Sequence, residues 1–157
     1  MSRNRTKVVI NKAALRDLQR QIAEQLNAPS EPPQLTRFQR RELLWLASEA
    51  DENGGIPSSA LEERNASFAP ESRGDLAARY RALERLGYVD ELMLDWSHLV
   101  ISARLTEEGR GAAEDILSEE LASPTISEET RSSVKEALIA GGIGMACELL
   151  IKLIALP

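Results

Sequence analysis

Residues 72–111 read SRGDLAARYRALERLGYVDELMLDWSHLVISARLTEEGRG, and the periodicity of this stretch changes twice. From Arg73 to Leu86 it is helical. At 100° per residue Leu76, Tyr80, Leu83 and Leu86 share one face, while Arg81 and Arg85 lie near the opposite side. Gly87 supplies a left-handed position that stops the helix. From Tyr88 the period becomes two, with Val89, Glu91, Met93 and Asp95 alternating against Leu92 and Leu94, then Leu99, Ile101, Ala103 and Leu105 against Val100 and Arg104. Few turn residues separate the two runs, which predicts a tight hairpin turning at Trp96-Ser97-His98. Thr106-Glu107-Glu108 then offers a cap hydroxyl and two carboxylates to the free amides of a new helix reaching about Leu121.

The segments on either side extend this helix, hairpin, helix order. Upstream, Thr36 and Gln39 form a capping box that opens a helix with Phe38, Leu43, Leu44, Trp45, Leu46 and Ala47 over much of its circumference, so it is the central core helix and Trp45 is core. Ser59 with Glu62, and Ser72 with Asp75, repeat the capping pattern for a short helix and for helix 73–86. Phe68, in the turn between them, is expected to plug the core. Further back, Asn11 caps a helix from Lys12 to about Leu26 with a narrow Leu15, Leu18, Ile22, Leu26 stripe, and Lys7 to Ile10 is a short β-prone run. Residues 27–33, with three prolines, form a linker. Downstream, a helix beginning near Ser127 is almost wholly apolar in its second half, and Gly141, Gly142 and Gly144 predict a kink or a close helix crossing there. Three regions result, covering residues 1–33, 34–122 and 123–157. The fold class is mainly α with a small β-hairpin.

Composition narrows the chemistry. Aromatics are 4% of 157 residues while apolar residues are 43%, so Leu, Ile, Val and Ala fill the core. One cysteine, Cys147, excludes an internal disulfide, and one histidine, His98, leaves no set for a zinc site or a Ser/His/Asp arrangement. Gly141 to Gly144 lacks the Lys-Ser/Thr of a phosphate-binding loop. A non-enzymatic protein without cofactor or metal is expected. The start has no apolar signal region, which points to the cytoplasm. The net charge of −6 is unevenly spread: residues 1–33 hold six Arg or Lys against three acids, residues 34–117 ten against sixteen, and residues 118–157 three against six.

The runs Arg81-Ala-Leu-Glu-Arg-Leu-Gly-Tyr-Val89 and Leu105-Thr-Glu-Glu-Gly-Arg110, in this order around a hairpin, resemble the winged helix-turn-helix regulators of the MarR and PadR kind. The resemblance covers about residues 34–117. It implies a winged helix with N- and C-terminal helical extensions, binding double-stranded DNA as a dimer with helix 73–86 in the major groove and the 96–98 turn near the backbone. Carried over by position, Ser72, Arg73, Ala77, Arg81 and Arg85 are the recognition-helix candidates, and His98 and Arg104 belong to the wing.

Competing readings attach to several features. Arg81 and Arg85 either contact DNA or pair with acids such as Glu84 and Asp95. Arg3, Arg5 and Lys7 are either a minor-groove arm or a solvated end. Trp96 is expected to fold back on the hairpin, and Cys147 to be a small buried hydrophobe. Residues 137–156 approach the length of a membrane span, but Glu148 and Lys152 oppose insertion, so the expectation is a homodimer helix using Leu138, Ile139, Ile143, Leu149, Leu150, Leu153 and Ile154. The leading function is a dimeric transcriptional regulator. The alternative is a winged-helix protein-interaction or assembly module that uses its acidic surface and does not bind DNA.

Overall fold

The protein is described by a computed structural model covering residues 11–27 and 34–154. The chain divides into two units, Met1–Gln34 and Leu35–Pro157. In the first, α1 spans Lys12–Asn27, with the Asn11 side chain accepting from the Ala13 amide at 3.1 Å. The β-prone run, the basic arm at Arg3, Arg5 and Lys7, and the prolines of the linker lie outside the described residues.

The second unit runs α2 (Arg37–Glu49), α3 (Ser58–Ala66), a 3-10 turn (Pro70–Ser72), α4 (Arg73–Arg85), β1 (Val89–Leu94), β2 (Val100–Leu105), α5 (Glu107–Ala122) and α6 (Glu128–Ile154). It is mainly helical with one two-stranded antiparallel sheet. Helix α2 is the hub, packing on α4, α5 and α6, because Leu43, Leu44, Leu46 and Ala47 turn apolar groups to all three. Its capping box forms in full: Thr36 Oγ1 accepts from the Gln39 amide at 3.2 Å and Gln39 Oε1 accepts from the Thr36 amide at 3.0 Å. The other two expected boxes do not form. Helix α3 starts two residues earlier than a Ser59 cap would place it, with Pro57 at the cap position, and Ser72 stands at the cap position of α4 with no side-chain bond.

The end of α4 and the start of α5 are locked together at Gly87 and Thr106. Gly87 has φ +80°, with its amide donating to Glu84 O at 3.0 Å and the Tyr88 amide to Leu83 O at 2.9 Å, which is a Schellman motif. Thr106 Oγ1 donates to Gly87 O at 2.6 Å and accepts from the Gly109 amide at 3.0 Å. Gly109 is the glycine of the Leu-Thr-Glu-Glu-Gly run, and a Cβ there would stand 2.2 Å from Tyr88 O. That run is therefore a packing joint between helix and hairpin.

The strands pair Val89 with Leu105, Asp90 with Arg104, Met93 with Ser102 and Leu94 with Val100, with an irregularity at Glu91, where φ is +50°. A further bridge joins Gly55 to Arg104, and the Leu105 amide donates to Gly54 O at 2.8 Å. The Asp51–Pro57 turn thus adds an edge to the hairpin that sequence periodicity did not predict. Asn65, at the end of α3, holds the other side: its amide bonds both Val100 O at 2.9 Å and Val100 N at 3.1 Å.

Helix α6 is broken at Gly142, whose φ of 79° and ψ of −169° are not helical. Beyond the break, Ala146, Cys147 and Leu150 enter the same core as α2, and a Cβ on Gly144 would lie 3.3 Å from Ala47 O, so both the kink and the close crossing are present. The sequence treats 123–157 as a separate segment, whereas α6 is part of the Leu35–Pro157 core. Among the described residues no helix is long and apolar enough to cross a membrane.

Candidate nucleic-acid interface

Helix α4 turns Leu76, Ala77, Tyr80 and Leu83 inward. Its exposed residues are Gly74, Asp75, Ala78, Arg81, Glu84 and Arg85; Gly74, Ala78, Arg81 and Arg85, spaced four, three and four residues apart, form one line, with the carboxylates of Asp75 and Glu84 on its two flanks. Ala77, expected on the reading face, is 2% exposed and packs in the interior, so Ala78 takes its place. The same arithmetic on the sequence places Ala78 three residues before Arg81. Among the described residues neither Arg81 nor Arg85 makes an ion pair, with Glu84 or with any other acid.

The start of α4 is different. Ser72 is half-buried in the 3-10 turn. Arg73 is half-buried, with its Nε enclosed and without a hydrogen-bond partner among the described residues. It borders a hollow shared with Ser58, Glu62 and Asn65 of α3 and Leu99 to Ile101 of the hairpin. Its positive charge reaches Asp95.

The hairpin turn is built by Asp95. Its Oδ1 accepts from Ser97 N and Ser97 Oγ, both at 2.8 Å, and from Leu99 N at 2.9 Å. The bond from Leu99 chiefly holds the Asp95 carboxyl below the usual range, with Ser97 and the charge of Arg73 adding to it and desolvation opposing. Asp95 is thereby committed to the turn and is no partner for Arg81 or Arg85. At the tip, His98 is exposed with φ +66°, and Trp96 is 95% exposed, so it does not fold back on the hairpin.

Arg104 departs from its expected role. Its guanidinium makes a two-point pair with Asp90, Nε to Oδ1 at 2.7 Å and a second short bond to Oδ2, with Glu91 3.9 Å away. The bond and the charge of Asp90 raise its pKa, and the same pairing neutralises it as a phosphate ligand. Cross-strand register decides this, since Asp90 and Arg104 are paired residues. The structure therefore sets Arg81 and Arg85 apart as unpaired cations beside a hairpin whose own arginine is occupied.

The expected dimer residues also separate. Ile139 is 86% exposed and Leu138 and Leu153 are exposed, whereas Ile143 and Leu149 are half-buried against the core. Leu150 is fully buried inside its own chain and cannot meet another copy. The Ile154 side chain lies outside the described residues. Met145, exposed beside them, joins the available set.

A second group of arginines surrounds Glu42, which is fully buried in α2. Arg64 makes a two-point pair with it, with Nε to Oε2 at 3.2 Å, and Arg79 Nη1 reaches Oε1 at 3.3 Å. The Arg64 guanidinium lies 5.7 Å from the Trp45 ring centroid and 5.0 Å from Phe68, and that of Arg79 lies 4.6 Å from Phe38 and 5.2 Å from Phe68. Trp45 and Phe68 are half-buried and stand at the edge of the core beneath these cations. Sequence reading passed over the cluster because Glu42, Arg64 and Arg79 sit on three helices; a carboxylate within the apolar run of α2 is the one local sign of it.

No family model, characterised protein or solved structure matches this chain.

Proposed function

We propose that the Leu35–Pro157 unit is a winged-helix module that binds duplex DNA as a dimeric, non-enzymatic regulator, with α4 entering the major groove. The observation that carries this reading is the exposed Gly74, Ala78, Arg81, Arg85 line, in which two unpaired cations follow two small residues. Small residues let a helix backbone approach a groove closely, and arginine suits both phosphate and the guanine edge. The order α2, α3, α4, hairpin, α5, with Gly55 adding an edge to β2, supports the winged-helix assignment.

The acidic balance of residues 34–117 means that affinity rests on few contacts. Random and selected duplexes titrated at low salt should bind, and Arg81→Ala with Arg85→Ala should weaken binding and lower the salt slope by about two, one per phosphate contact. Absence of binding at low salt, or an unchanged slope in the double variant, overturns the reading.

One observation favours a protein-binding module instead: Trp96, Met93 and Ile101 are exposed on a hairpin whose Arg104 is neutralised. On that reading Trp96→Ala abolishes capture of a stoichiometric protein partner and Arg81→Ala does not.

A further inference from the structure

The arginines around Glu42 rim a concavity of about 300 Å³ lined by Arg41, Trp45, Arg64, Ser67, Phe68, Arg79 and Ile151. Its volume is at the lower end of small-molecule sites, roughly 300–1,000 Å³. Three guanidiniums face one carboxylate there. Glu42 takes up one positive charge through Arg64 and Arg79, and among the described residues Arg41 makes no hydrogen bond or ion pair. Burial, followed by the charges of Arg64, Arg79 and Arg37, lowers the Arg41 pKa against the opposing pull of Glu42. The cations are crowded without enough counter-charge.

We infer that this concavity binds a small phosphate monoester, with its dianionic oxygens on Arg41, Arg64 and Arg79 and its organic part against Trp45, Phe68 and Ile151. Charge selects the class: three guanidiniums less one carboxylate leave an excess of two, and a phosphate monoester carries close to two negative charges at neutral pH. Guanidinium N–H groups pair phosphate oxygens; Glu42 holds the Nε edge of Arg64 and one Nη of Arg79, which orients both and leaves their other N–H groups, with the whole fork of Arg41, to meet the ligand. The half-buried rings give the ligand an apolar wall. This site is separate from the α4 face that carries Arg81 and Arg85, so it stands or falls independently of DNA binding.

The test uses the full chain with Trp96→Phe, which leaves Trp45 as the only tryptophan because the sequence has two. Phenyl phosphate, inorganic phosphate and benzoate are titrated while Trp45 fluorescence and the thermal midpoint are followed. Phenyl phosphate should give saturable changes in both. Arg41→Gln should weaken it roughly tenfold to a hundredfold, the effect of losing one charged hydrogen-bonding group. Because Arg41 has no hydrogen-bond or ion-pair partner among the described residues, that variant keeps the parent stability without ligand, and Arg81→Gln keeps the parent affinity. Phenyl phosphate binding more tightly than inorganic phosphate supports the ester, and equal binding of the two overturns the ester and the role of the apolar wall. The inference is overturned if no saturable change occurs, if Arg41→Gln binds as well as the parent, or if benzoate matches phenyl phosphate. Displacement of phenyl phosphate by duplex DNA, with Arg41→Gln weakening DNA to the same degree, would also overturn it by making the site a DNA-backbone contact.

Discussion

Single polar side chains decide how the hairpin is held. Asn65 replaces a missing strand neighbour by bonding both backbone groups of Val100, which is 2% exposed. Asn65→Ala leaves those groups without partners and should cost about 1–3 kcal/mol in denaturant unfolding. Asp95 works at the turn, and its lowered pKa gives a sign. A carboxyl depressed in the folded state stabilises fully above the ordinary aspartate range and loses that contribution as pH falls through its folded value. Asp95→Asn should therefore be less stable than the parent at neutral pH, and the gap should close in acid when melting curves are compared. Cys147 is fully buried in α6, and burial, with the Glu114 charge adding, pushes its thiol up to about 12. Its reaction with a disulfide reagent at mildly alkaline pH should be negligible in the folded protein and immediate in denaturant; a fast reaction in the folded state would remove it from the core. The buried state of Cys147 was legible from its apolar neighbours, whereas the pairing of Arg104 was not, because it depends on which residue of β1 lies opposite.

At the scale of elements, boundaries were legible where local chemistry alone sets them. Gly87 ends α4 and Thr106 begins α5 as their residue types predict, since a left-handed position and a cap hydroxyl need only near neighbours. The Ser59 and Ser72 boxes failed because a preceding Pro57 and a 3-10 turn had already set the entry into each helix. In α6 the glycines announced a break, and the fold selected Gly142. Its φ and ψ fall in a region almost reserved for glycine, and a Cβ there would meet nothing within 4 Å. Gly142→Ala should thus lower stability by about 1–3 kcal/mol through backbone strain alone. Gly111→Ala, in α5, makes no such backbone demand and its Cβ would also meet nothing within 4 Å, so an equal loss at the two positions in thermal melts would contradict this account.

For the whole molecule, the apolar residues left outside the core bear on assembly. Leu138, Ile139, Met145 and Leu153 remain exposed on α6 after Val134, Ala146, Cys147 and Leu150 have been used internally. Self-association through this surface should be lost in Ile139→Glu while the fold is kept, because Ile139 is 86% exposed; sedimentation at micromolar concentration distinguishes the two forms. The same sedimentation profile for parent and variant would exclude this surface. The sequence by itself determined the order of helices and strands, the central place of α2, the stop at Gly87 and the kink in α6. These follow from periodicity and from residues acting within a turn of themselves. Only the tertiary structure decided that Asp90 occupies Arg104, that Leu150 belongs to its own chain, and that Glu42 gathers arginines from α3 and α4. Each of these is a contact between distant parts of the chain, and local pattern carries none of them.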